Sequence, residues 1–225
     1  MSDQTIRLWD IFIDSFLPLL KAGVLYTIPL SLISFVLGCI VALLTALARL
    51  SENKILSSVA RFYVWLIRGT PLLVQLYIIF YGLPRVGLII DPFPAAIIGF
   101  TLNVGAYNSE IVRAAILSIS KGQWEAGFSL GMTKLQTLRR IVLPQATRVA
   151  VPPLSNSFIS LVKDTSLAFA ITVTEMFQKA NQLTAYYYEP LLLYSEAALI
   201  YLIFSTVLSQ LQAKLERRFD RFTAR

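Results

Sequence analysis

The sequence predicts an all-α membrane protein with five transmembrane helices, its N-terminus outside and its C-terminus in the cytoplasm. Three observations carry that expectation. Hydrophobic residues make up 56% of the chain and charged residues only 15%, with mean hydropathy +0.66, whereas a soluble domain of this size carries about a quarter charged residues. Uncharged runs recur at close to the ~20 residues that cross a bilayer core. Lys and Arg also alternate between rich and poor segments: four in 49–68, six in 113–148 and five from 214 onward, against five in all the rest of the chain. The positive-inside rule puts the rich segments in the cytoplasm.

The same composition excludes several classes. A net charge of +7 in such an apolar chain reads as cytoplasmic-loop Lys and Arg, not as a nucleic-acid surface. The single cysteine, Cys39, rules out a disulfide framework within the chain, and the absence of His removes His-based acid–base, metal-binding and Ser-His chemistry.

Residues 1–21 form a distinct N-terminal segment. Arg7, Asp10, Asp14 and Lys21 recur along one helical face, and Leu8, Trp9, Ile11, Phe12, Phe16 and Leu19 fill the remainder. An interfacial helix lying on the membrane fits this pattern; an extension of the first span fits nearly as well. Ala22–Ala48 carries no charge and forms span one, with a bend expected near Pro29. Span two covers about 60–83, with a kink or restart at Gly69-Thr70-Pro71, where proline breaks the hydrogen-bond ladder. A short loop with Arg85, Asp91, Pro92 and Pro94 leads into span three, about 94–115, which holds Asn103, Tyr107, Asn108, Glu110 and Arg113.

Residues 121–148 are basic and amphipathic, with two helix-start signals. Ser120-x-x-Gln123 and Thr133-x-x-Gln136 fit the capping box. Gly131 separates the two helices, and Pro144 marks the end of the second. Span four begins near Val149 and is interrupted at Lys163-Asp164-Thr165-Ser166. A tyrosine-rich loop with Glu175 and Tyr186-Tyr187-Tyr188 suits a membrane interface. Span five covers about 191–211, with Glu196 solvated near its start. One domain therefore occupies 22–212, followed by a basic cytoplasmic tail over 213–225.

Lys163 and Asp164 are the sharpest candidates for chemistry, because ionisable groups inside a bilayer are costly and usually face a bundle interior. Asp164 suits an ammonium and Lys163 a carboxylate, so a zwitterionic solute would fit both. Neighbours in sequence do not share a helix face, so the alternative is that each pairs with another span. Glu110 and Arg113, three apart, suit a structural ion pair. Asn103 and Tyr107 suit a polar path or interhelical hydrogen bonds. No G-x-x-x-x-G-K-[ST] pattern is present, so the chain carries no Walker-type nucleotide site of its own.

Glu125-Ala126-Gly127, then Gly131, then Ile141-x-Leu143-Pro144 resembles the EAA loop of bacterial ABC importer permeases, whose pattern is E-A-A, three residues, G, nine residues, I-x-L-P. Further runs resemble the polar amino acid branch of that family: Ile67-Arg68-Gly69-Thr70-Pro71-Leu72, Ala106-Tyr107-x-x-Glu110-Ile111-x-Arg113, Leu143-Pro144-Gln145-Ala146 and Lys163-Asp164-Thr165-Ser166-Leu167. Within the branch, Asp91-Pro92-x-Pro94 and Pro152–Ser160 are most similar to L-cystine permeases. The resemblance implies a non-catalytic permease of the bacterial cell membrane, with no cofactor of its own and ATP bound by a partner. The implied partners are ABC ATPase subunits, an extracytoplasmic solute-binding protein, and a second permease copy making a homodimer in the lipid bilayer. It implies ATPase coupling through Glu125, Ala126, Gly127, Gly131, Met132, Leu143 and Pro144; the candidates for the solute path remain those read from the residues themselves, Lys163, Asp164, Thr165, Ser166, Asn103 and Tyr107. Gly127 departs from the pattern, standing where the family usually has Ala. Gly weakens a helix by roughly 1 kcal/mol relative to Ala, so a looser helix is expected there. The rival readings are an ion-coupled secondary transporter or channel, which ordinarily shows inverted repeats, and an intramembrane enzyme using Asp164 and Glu110. Neither has a supporting repeat or nucleophile–base arrangement in the sequence.

Overall fold

A computed structural model describes residues 3–220, and it is helical nearly throughout. The elements run in the order α1 (Asp3–Ala22), a π-turn (Gly23–Thr27), α2 (Ile28–Arg49), α3 (Lys54–Arg68), α4 (Leu72–Tyr77) with a π and a 3₁₀ continuation to Val86, and α5 (Pro92–Leu117). Then follow α6 (Lys121–Ser129), α7 (Lys134–Thr137), a π segment (Leu138–Val142), α8 (Leu143–Asp164), a 3₁₀ stretch (Thr165–Ile171), α9 (Met176–Tyr187) and α10 (Pro190–Asp220).

Two helices are long and apolar enough to cross a membrane, Asp3–Arg49 and Pro190–Lys214, and two bent pairs raise the count to as many as four. The pairs are Lys54–Arg68 with Leu72–Val86, bent by 103°, and Lys134–Ile171 with Met176–Tyr187, bent by 52°. The helix α5 falls outside that set although it is 26 residues long. Asn103, Tyr107, Asn108 and Glu110 dilute its apolar character. It tolerates them because it lies at the centre of the fold, with Ala95, Ala96, Phe100, Val104 and Ala106 fully or almost fully buried.

The main packing is α2 against α5, and small residues set its distance. A Cβ on Gly38 would lie 2.5 Å from Val104 Cγ1, and one on Gly105 would lie 2.6 Å from Val41 Cγ1. Each glycine thus receives a valine of the opposite helix, the close approach that small residues permit between membrane helices. Leu30, Leu76, Phe100, Leu161 and Ile171 form the core at this crossing. A second core, with Leu19, Met176, Ala180 and Ile200, joins α1, α9 and α10. A third, with Ala115, Ile116, Val142, Ala146 and Ala150, closes the far end.

Several sequence expectations are corrected. Of the two readings of 1–21, a separate interfacial helix or an extension of the first span, the structure has the extension: a single helix runs from Asp3 to Arg49. Ile11 and Leu19 are buried against the α9–α10 pair, so the charged face turns outward while the apolar face packs on protein. The bend anticipated near Pro29 is instead the π-turn Gly23–Thr27 just before it. Pro144 does not end a helix: it occupies the first turn of α8, where a missing N–H costs nothing and its fixed φ is helical. The kink after Arg68 is a turn through 103°. Its Gln75 is buried and donates from Nε2 to the Ile67 carbonyl (2.8 Å) and to Thr70 Oγ1 (2.9 Å), which pins the corner.

Glu196 is not solvated. It is 2% exposed, and Ser15 Oγ lies 2.6 Å from its Oε2, joining α1 to α10. Glu175, read as a loop residue, is fully buried as the N-cap of α9. It accepts from the backbone N–H groups of Phe177 (2.8 Å) and Gln178 (2.7 Å) and from the Tyr201 hydroxyl (2.9 Å). The basic tail expected over 213–225 continues α10 as far as Asp220; its last five residues lie outside the described residues.

Candidate functional site

Two places hold nearly all of the candidate residues. The first is the helix pair between α5 and α8. Helix α6 ends in a Schellman motif: the N–H of Met132 bonds the Gly127 carbonyl (3.1 Å) and that of Gly131 bonds the Phe128 carbonyl (2.9 Å). Gly131 takes the required left-handed conformation, φ 73°. Thr133 then opens α7 with a complete capping box, in which its hydroxyl accepts from Gln136 N–H and Gln136 Oε1 accepts from Thr133 N–H. The other expected box is absent: Ser120 makes no side-chain cap bond, and the Gln123 N–H goes to the Ser120 carbonyl instead.

This module is fixed to the membrane helices from beneath. Trp124 and Leu138 pack on the core of Ala115, Ile116, Val142 and Ala146. Gln145 Nε2 of α8 donates to Gln123 Oε1 of α6 at 3.1 Å. Lys134 donates to Glu52, which ties α7 to the α2–α3 loop, and that bond and charge hold the exposed Glu52 carboxyl below the usual carboxylate range. Outward the module presents Glu125 and Ala126 beside Phe128, Leu130 (76% exposed) and Leu135 (71% exposed). Met132 and Leu143 are half-buried and Pro144 is exposed.

Gly127 is not a loose point. It is buried against Thr137, and a Cβ there would lie 2.6 Å from Thr137 Cγ2 and 2.7 Å from its Oγ1. The departure from Ala brings α6 onto α7 more closely than Ala would allow.

The second place is a cavity of about 340 Å³ between α5, α8 and the turn after α3. Asn103 and Tyr107 of α5, Ser157, Ser160 and Asp164 of α8, and Thr70 and Pro71 of the turn line it. Of the sequence candidates it gathers Asn103, Tyr107 and Asp164. It does not gather the others. Lys163 is exposed outside the lining, being one residue and so ~100° round the helix from Asp164. Thr165 is buried and donates to the Val162 carbonyl (2.8 Å), and Ser166 is half-buried in the 3₁₀ stretch.

Beside the cavity, Glu110 and Arg113 pair at 3.0 Å as the spacing suggests. The sequence did not reveal that Arg49 of α2 also bonds Glu110, at 2.5 Å, nor that Arg68 of α3 lies 3.4 Å from it. Three arginines thus converge on one carboxylate. The guanidinium of Arg68 stands 5.1 Å from the centroid of the Tyr107 ring, a cation–π contact at the cavity wall. The only sequence signal for these partners was the presence of Arg in helix ends next to apolar spans.

A family model described as "Binding-protein-dependent transport system inner membrane component" matches residues 38–221. The L-cystine transport system permease protein TcyB of Bacillus subtilis (strain 168) is 56% identical over 218 residues, 96% of this chain and 93% of that protein. The glutamine transport system permease protein GlnP of Escherichia coli (strain K12) is 40% identical, over 90% of this chain and 93% of that one. Among solved structures, a crystal structure of an amino acid ABC transporter with histidines superposes with a TM-score of 0.81 at 32% identity, covering 97% of this chain and 99% of the other.

Proposed function

The chain belongs to the family of binding-protein-dependent transport system inner membrane components, and from that membership we propose that it is the permease of an ABC importer carrying L-cystine. That it is a non-catalytic, multi-pass permease of an amino acid ABC importer follows from the family and from its relatives. The solute is the finer step. The observation that carries it is the 56% identity with the L-cystine permease along nearly the whole chain, against 40% with the glutamine permease.

In this reading five helical passes cross the membrane: Asp3–Arg49, the bent 54–86 pair, α5, the second bent pair from the start of α8 to the end of α9, and α10. The N-terminus is outside and the C-terminus in the cytoplasm, as the distribution of Lys and Arg favours. The single domain of 22–212 and its basic tail then follow the sequence reading, with α1 as part of the first pass. Two copies form a homodimer. Cytoplasmic ATPases seat on the 121–148 module, where Glu125, Ala126, Gly127, Gly131 and Met132 shape the contact and Leu143 and Pro144 pass movement into α8. A capped, internally bonded helix pair is suited to that role because a displacement pushed onto it reaches the attached helices. An extracytoplasmic binding protein delivers the solute to the cavity holding Asn103, Tyr107 and Asp164.

The test is reconstitution of the permease with its ATPases and binding protein in liposomes. Labelled L-cystine should accumulate only with ATP, and proton or sodium ionophores should leave accumulation intact. Accumulation that ionophores abolish at constant ATP would contradict the reading. Competition by a panel of amino acids assigns the solute; glutamine outcompeting cystine would reassign it.

A further inference from the structure

We propose that Arg68 receives the α-carboxylate of the transported amino acid, at the Tyr107 wall of the cavity that Asp164 also lines. This rests on the reading of that cavity as the solute path. Neither Lys163, the cation that the sequence suggested for this task, nor Arg68 is in the lining, but Arg68 stands 5.1 Å from the ring centroid of Tyr107, which is.

The charge of the cavity is one-sided. Asp164 is the one Asp, Glu, Lys or Arg among the side chains lining it, and Asp164 makes no ion pair among the described residues. A zwitterion held there would have its ammonium met and its carboxylate desolvated without a partner, which is costly. Arg68 is the cation placed to meet it. It lies over Tyr107, a wall residue, and two residues on from it Thr70 is another.

Arg68 is also the arginine with capacity to spare. Glu110 is held closely by Arg49 at 2.5 Å and by Arg113 at 3.0 Å, and Arg68 reaches it only at 3.4 Å. A guanidinium offers five N–H donors in a planar fork that matches a carboxylate. Three arginines on one glutamate leave an excess of positive charge, and the side chain of Arg68 is 42% exposed. The cation–π contact with the Tyr107 ring restrains the guanidinium, and the Gln75-pinned corner holds the backbone from which Arg68 extends. Such a pre-set fork loses little further freedom when a carboxylate docks.

The experiment measures equilibrium binding to the permease–ATPase complex in nanodiscs, without binding protein. The probes are labelled L-cystine and cystamine, its analogue lacking both carboxylates. Arg68→Gln should weaken cystine roughly tenfold or more, the scale of a lost charge-assisted bond, and leave cystamine unchanged. Arg68→Lys, which keeps the charge facing Glu110, should show the same selective loss in a smaller degree and covers the case in which Arg68→Gln does not assemble. Lys163→Gln should bind both probes as the wild type does. Cystine binding unchanged in both Arg68 variants, equal loss of both probes, or a cystine-selective loss in Lys163→Gln would overturn the assignment. A wild-type complex that binds no amino acid would remove the solute-path reading and this inference with it, a pattern distinct from failure at Arg68 alone.

Discussion

Replacing Gly127 by Ala sets two physical effects against each other. Helix propensity favours the change by about 1 kcal/mol. Packing opposes it, since the new methyl would stand 2.6 Å from Thr137 Cγ2 and 2.7 Å from Oγ1, well inside the ~3.5–4.0 Å of an ordinary contact. Thr137 has little room to yield. It is fully buried, β-branched and so stiff at χ1, and its hydroxyl donates to the Thr133 carbonyl at 3.1 Å. Overpacking of this kind costs about 1–3 kcal/mol, so the net expectation is a loss of about 1 kcal/mol in the closure of α6 on α7, or roughly fivefold more opening. Amide exchange over residues 121–137 in the assembled complex measures that directly. In the wild-type background Gly127→Ala should exchange faster; in a Thr137→Ala background, where the two nearest atoms are gone and only the flexible tip of Ile141 (Cδ1, 3.2 Å) has to give way, the same change should slow exchange. If Gly127→Ala slows exchange in the wild type, propensity has prevailed and the packing argument is wrong.

Other expectations follow from the same geometry. Gly131→Ala should cost the Schellman turn about 1–2 kcal/mol and Gly131→Asn clearly less, read as proteolytic nicking between α6 and α7; equal susceptibility would mean the turn does not depend on its left-handed residue. Glu125→Lys should leave membrane insertion intact but lower ATP-driven uptake through weakened ATPase capture, measured by co-purification of the subunits, and full capture with normal uptake would clear Glu125 of that role. Glu110→Gln leaves Arg49 and Arg113 without their counter-charge. Breaking a buried pair costs about 3–5 kcal/mol, and partial exposure here reduces that to about 2 kcal/mol, visible as a lower melting temperature of the detergent-solubilised protein; an unchanged midpoint would show the cluster to be solvated. Asp164→Asn should lower the uptake rate with the complex still assembled, and uptake at the wild-type rate would reduce Asp164 to a wall residue.

Local rules made much of this molecule legible. The Thr133 box, the turn at Gly131 and the corner at Gly69-Thr70-Pro71 each depend on a few neighbouring residues, and each is where the sequence suggested. Contacts between distant segments were not legible. Arg49 and Arg68 meet Glu110 only because α2, α3 and α5 cross at one register, and that register is set by Gly38 facing Val104 and Gly105 facing Val41. Hydropathy carries no trace of such a match. Glu196 misled for the same reason, since its partner Ser15 is 181 residues away. Lys163 is a different case: the sequence already showed that it and Asp164 do not share a helix face, and the structure leaves Lys163 exposed outside the cavity lining. Pro144 was read by its usual habit of stopping helices, whereas the π segment before it lets a new helix begin at Leu143.

The unbroken helix from Asp3 to Arg49 is 47 residues long, about 70 Å at ~1.5 Å per residue. A bilayer with its headgroups is only about 40–45 Å thick, and tilts beyond ~40° are rare, so the rod must stand clear of the membrane on at least one side. It is gripped at both tips: Arg7 reaches Glu189 (3.5 Å) and the Tyr187 carbonyl (3.4 Å), and Arg49 holds Glu110. Between them Thr27 Oγ1 accepts from the Met176 N–H at 3.3 Å, within the π-turn. One continuous helix therefore links the Glu189 contact at Arg7 to the Glu110 contact at Arg49, two ion pairs that lie at opposite ends of the same rod.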